Sequence, residues 1–96
     1  MPRNQKLTKV IAGRTVKVAT VEPRGVLVLF DDESRMKIKT AGSATIPPGS
    51  KVTSVHEAKA EFRIDFEDGS SATLRLADPG SSVAVRDRNN AVEYLG

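Results

Sequence analysis

The chain has 96 residues, 15 of them Lys or Arg and 12 Asp or Glu, for a formal net charge of +3; that is room for one domain (1–96) with its own core and not for two. With no cysteine, a disulfide framework and a thiolate metal site are both excluded. No apolar run is long enough to span a bilayer, and Val10-Ile11-Ala12 behind Arg3, Lys6 and Lys9 is too short for a signal-peptide core. A cytoplasmic protein with no membrane partner is therefore expected.

The charge is unevenly spread. Residues 1–30 hold six basic side chains and one acidic, whereas residues 61–96 hold four and seven. A basic first third can mark a surface for nucleic acid or an acidic protein. The charge asymmetry is read first as a solvated surface whose two halves attract each other.

From the N-terminus, Leu7, Val10 and Ile11 fall at i, i+3 and i+4, the spacing of a short helical turn ending at Gly13. A strand is expected from about Arg14 to Glu22, then a connection at Pro23-Arg24-Gly25. Val26, Val28 and Phe30 alternate into a second strand, Asp31-Asp32-Glu33 makes a turn, and Met36, Ile38 and Thr40 mark a third strand. Pro47-Pro48-Gly49 then permits neither a helix nor a central strand.

After that linker the pattern returns at an offset of 36 residues, residues 13–40 aligning without a gap on 49–76. Gly13 falls on Gly49, Phe30 on Phe66, and Asp31-Asp32-Glu33-Ser34 on Glu67-Asp68-Gly69-Ser70. Each copy reads as a three-stranded meander, the second with strands at about Lys51 to His56, Phe62 to Phe66 and Ala72 to Leu76, and Ala58-Lys59-Ala60 as its first connection. For two apolar rows of a hairpin to share one face, the loop must hold an odd number of residues. Three residues, with the third in the left-handed region, satisfy that requirement, which suits Gly69 and strains Glu33. A closing hairpin at 82–95, with Val83 to Arg86 and Ala91 to Leu95 around Asp87 to Asn90, has no counterpart in the first copy.

The expectation is an all-β fold: about seven or eight short, mostly antiparallel strands in a small barrel or sandwich. The turn, glycine and Val-x-Val strand of Leu7 to Val18 are similar to the opening of Sm-like RNA-binding barrels, and the glycine, Val-x-Val and Phe-acid-acid pattern looks like SH3 or tudor barrels. The Asp-containing second half of the Sm motif and the aromatic clusters of the others have no counterpart here, so no site residue is transferred.

Catalytic chemistry finds little to work with. His56 is the single histidine, no glycine-flanked serine accompanies it, and a Ser54-His56 pair on one strand is the nearest approach to a nucleophile and base. The acidic clusters 31–33 and 67–68 sit in turns, where Asp is favoured for local backbone bonding, and lack calcium-loop spacing. No enzyme, metal or cofactor is expected.

Two binding surfaces are expected instead. Arg35, Lys37 and Lys39 alternate outward on one strand, with Arg14 and Lys17 as neighbours, a basic strip suited to nucleic acid or an acidic protein. Lys on a strand also discourages edge-to-edge aggregation. Leu27 and Leu29 stand where the second copy has Arg63 and Asp65, so Val26 to Phe30 is apolar on both sides. The second face must be covered by the N-terminal turn, by the closing hairpin, or by a second molecule in a homodimer or partner interface.

Overall fold

The computed structural model describes residues 1–42 and 44–96. One short helix, α1 (Gln5–Ile11), precedes eight strands: β1 (Val16–Glu22), β2 (Gly25–Phe30), β3 (Arg35–Lys39), β4 (Val52–Ala58), β5 (Glu61–Phe66), β6 (Ser71–Arg75), β7 (Val83–Arg86) and β8 (Val92–Leu95). The helix starts because the side chain of Asn4 accepts the backbone N–H of Leu7 at 3.0 Å, relieving one of the donors a helix start leaves unpaired. It ends at Gly13, whose φ of +88° is easy only for glycine. Leu7 and Ile11, four residues apart on one face, are both fully buried.

The strands form two antiparallel sheets, one of five strands in the order β1-β2-β3-β7-β8 and one of three in the order β4-β5-β6. They are not closed into a barrel. Single antiparallel bridges join them at Thr15–Lys51 and at Thr40–Leu76. Both bridges connect residues 36 apart, and the register follows the same offset. Val16 faces Phe30 as Val52 faces Phe66, Val28 faces Met36 as Ile64 faces Ala72, and the β1–β2 and β4–β5 ladders each carry a bulge, after Val16 and after Val52.

Period-2 alternation sends Val26, Val28 and Phe30 of β2, Met36 and Ile38 of β3, and Phe62, Ile64 and Phe66 of β5 into one core with Leu74, Val83 and Val85. Each such side chain contributes about 1.5–3 kcal/mol on burial. Ala44 and Ile46, in the segment between β3 and β4, join the same core.

The β2–β3 and β5–β6 turns are the expected three-residue loops. Phe30 N–H donates to Ser34 O and Phe66 N–H to Ser70 O, both at 2.9 Å, and the third loop residue is left-handed in each, Glu33 at φ +71° and Gly69 at φ +89°. The first connections are tighter than the sequence suggests, two residues each. Gly25 belongs to β2 and pairs with Glu22 around Pro23-Arg24, and Ala58 belongs to β4 and pairs with Glu61 around Lys59-Ala60.

Candidate functional site

The closing hairpin settles what the outer face of the first meander looks like. Instead of lying over Leu27 and Leu29, β7 adds edge-on to β3, with Lys37 opposite Ala84 and Arg35 opposite Arg86. The helix does not cover them either, since it packs on β4 and β8 with Leu7 and Ile11 in the core. Both expected intramolecular covers are therefore absent, for one physical reason: β3 offers an unpaired edge, and strand addition there satisfies the backbone groups of β7 while burying Val83 and Val85.

The outer face of the five-stranded sheet can be followed along its cross-strand rows. One row runs Thr20, Leu27, Lys37, Ala84 and Leu95, and the next runs Val18, Leu29, Arg35, Arg86 and Val92. Leu27, Leu29 and Ala84 are half-buried, while Val18, Val92 and Leu95 are exposed at 45%, 48% and 66%. The apolar face and the basic strip, read from sequence as two surfaces, are one surface. Alternation puts Lys37 directly across from Leu27 on the same side of the sheet.

The five expected basic residues divide. Arg35, Lys37 and Lys39 are exposed on β3, and Lys17 is exposed at the β1 bulge, two strands and about 10 Å away at ordinary strand spacing. Arg14 does not join them. It lies before β1, half-buried, its guanidinium donating twice to Glu93 at 2.7 and 2.9 Å and once to Ser34 Oγ at 2.9 Å, with Asp32 at 3.6 Å and the Phe30 ring 6.0 Å below. The Glu93 bonds, ahead of the opposing effect of burial, hold the Arg14 guanidinium above its ordinary value. Arg14 is a structural tie between the first strand and the last.

Two residues not singled out from the sequence complete the patch. Arg86 comes in with β7, and Arg24 sits in the β1–β2 turn beside Lys37 and Lys39, lining a depression of about 490 Å³ with Glu22, Pro23 and Gly25. A second depression, of about 370 Å³, runs from Lys37 and Lys39 to Gly80–Ser82 and Leu95, and a third, of about 260 Å³, lies over Leu27 between Arg35, Lys37, Arg86 and Asn90. Lys37 lines all three. None of Arg24, Arg35, Lys37, Lys39 or Arg86 forms an ion pair among the described residues. The alternating pattern of 83–86 could have flagged Arg86 as outward-facing, but nothing local says which edge that strand joins.

The outer face of the three-stranded sheet is the opposite case. Where the five-stranded face has Leu27 and Leu29, it has Arg63 and Asp65, paired at 2.9 Å, and Glu61 stands across from Arg75. Positive and negative groups are interleaved there.

His56 and Ser54 do meet on that face, at 3.3 Å, and Asp65 joins them. The arrangement is unlike a charge-relay triad, which needs acid and nucleophile on opposite ring nitrogens. Here Ser54 Oγ and Asp65 Oδ2 both approach Nε2, Ser54 donates to Asp65 at 3.2 Å, and Nδ1 faces the carbonyl of Met1 at 3.2 Å. The acidic turns are likewise engaged locally: Asp32 accepts from the N–H and hydroxyl of Ser34, and Asp68 from those of Ser70. No group of three potential ligands is placed to hold a metal among the described residues.

Among the described residues, no helix is long and apolar enough to cross a membrane. Comparison with protein-family models, with curated proteins and with solved structures finds no match.

Proposed function

We propose that this protein is a non-catalytic binding module that receives a polyanionic partner, nucleic acid before an acidic protein, on the outer face of its five-stranded sheet. The observation that carries the reading is the set of five cationic side chains, Arg24, Arg35, Lys37, Lys39 and Arg86, exposed on or beside one face with no carboxylate paired to any of them. A surface cation kept for solubility alone tends to be interspersed with acids, as on the opposite sheet. Glu22 lines one of the three depressions, but the other two are lined by cations and by no acidic side chain, and such a predominance of one sign concentrates anions and speeds their arrival. No second histidine or cysteine in the sequence, and no oriented nucleophile among the described residues, supplies a competing catalytic reading.

A second reading belongs to the same surface. Val18, Leu27, Leu29, Val92 and Leu95 provide apolar area for a protein partner or a second copy of the chain, and such an interface would be insensitive to salt. NMR titration with a short nucleic acid at low salt separates the two: amide shifts centred on Lys37, Lys39 and Ala84 support the polyanion reading. Shifts that are absent or spread over the Arg63 and Thr73 face contradict it, and a mass that rises with protein concentration favours the second reading.

A further inference from the structure

If the outer face binds nucleic acid, on which this inference rests, then we infer that the preferred form is double-stranded and that recognition is independent of base sequence. The reason lies in where the aromatic rings are. A single strand presents unstacked bases, and proteins that hold one supply aromatic side chains for them. This chain has four aromatics, Phe30, Phe62, Phe66 and Tyr94. The three phenylalanines are buried, at 0%, 0% and 3% exposure. Tyr94 packs against the core, and its hydroxyl accepts from Asn4 Nδ2 at 3.0 Å. No ring is fully exposed, and the half-buried Tyr94 is turned to the core side of β8.

A duplex needs none, because its bases are already stacked and what it shows is phosphate. The geometry of the cations suits that target. Arg35, Lys37 and Lys39 follow one another on alternate positions of β3, which at ordinary strand rise spreads them over about 13 Å. Arg86 lies one strand further and Arg24 at the opposite corner beside Lys39, so the charge fills a two-dimensional patch. The depressions between them are open and shared through Lys37, so the cations surround a continuous surface. Ala84, Leu27 and Leu29 between the cations have no hydrogen-bonding side-chain group with which to read a base edge.

The test is competition. A labelled 16-base-pair duplex is bound at low salt and displaced by unlabelled duplex of unrelated sequence, by single strands of the same length, and by poly-glutamate. Duplex of either sequence should displace about tenfold better than single strand, the discrimination expected when even one stacked base goes without its ring. Lys37→Gln/Lys39→Gln, at two exposed positions that leave the core untouched, should lose duplex binding while keeping its melting temperature. Single strand or poly-glutamate displacing as well as duplex would overturn this inference and leave the polyanion reading standing. No binding of any nucleic acid at low salt would remove both.

Discussion

Arg14 and Glu93, 79 residues apart, are joined by two N–H···O bonds of 2.7 and 2.9 Å. The pair ties Arg14, two residues before β1, to β8, and Arg88 stands 4.0 Å from Glu33 on the neighbouring turns. Arg14–Glu93 thus joins the basic beginning of the chain to its acidic end, whereas Arg88–Glu33 has the opposite polarity. The cations on β3, β7 and the β1–β2 turn are among those that form no ion pair among the described residues.

Replacing Arg14 by Ala should therefore weaken the fold and spare the binding surface. Losing bidentate bonds to a charged partner at a half-buried site costs about 1–2 kcal/mol, a fall of roughly 5–10 °C in Tm for a domain of this size. Thermal unfolding checks the first part, and an unchanged Kd for nucleic acid at a temperature where the variant is folded checks the second.

Glu33 holds a φ of +71° where the matching turn has Gly69. A left-handed side chain costs on the order of 1–2 kcal/mol, and the added freedom of glycine in the unfolded chain offsets about 0.5–1 kcal/mol of that. Glu33→Gly should raise Tm by a few degrees. An equal or lower Tm would mean that the turn carries no such strain.

Gly25 is required for a different reason. A Cβ built there would overlap the backbone carbonyl oxygen of Ile38 on the paired strand β3, and backbone cannot step aside as a flexible side chain can. Gly25→Ala should destabilise by about 1–3 kcal/mol, the usual cost of overpacking. Denaturant unfolding would show a lower midpoint.

Acid should loosen the two three-residue turns. At Asp32, burial works to raise the carboxyl, but the hydroxyl and N–H of Ser34 together with Arg14 outweigh it and hold it below the usual 3.8. At Asp68 the Ser70 hydroxyl leads and the Ser70 N–H adds to it, in the same direction. Because the folded-state values are depressed, their contribution is fully present above the unfolded value and is lost as pH falls through the folded one. Tm should stay level from pH 7 to about 5 and drop below about 4. Asp32→Asn/Asp68→Asn should flatten that drop, as seen by melting curves over the same range.

Much of the β-architecture was legible in the chain because alternation and turn chemistry are local. The Phe62, Ile64 and Phe66 row, the three-residue loops, the left-handed position at Gly69 and the short helix over Leu7 and Ile11 each follow from a few neighbouring residues. Pairings that depend on distant partners were not legible. Nothing near Val83 says that its strand docks on β3, and that single pairing leaves Leu27 uncovered and brings Arg86 beside Arg35. Arg14 looked like part of a basic strip because its partner lies at the other end of the chain.

Fluorescence anisotropy of a labelled duplex across a salt series tests the polyanion site most directly. Each phosphate neutralised contributes a slope of about −0.9 to log K against log salt, so engagement of the five cations predicts at most about −4.5, and Lys37→Glu/Lys39→Glu should abolish binding or reduce the slope by about 2. Binding that ignores salt, or that survives the double charge reversal unchanged, would contradict the assignment of this face.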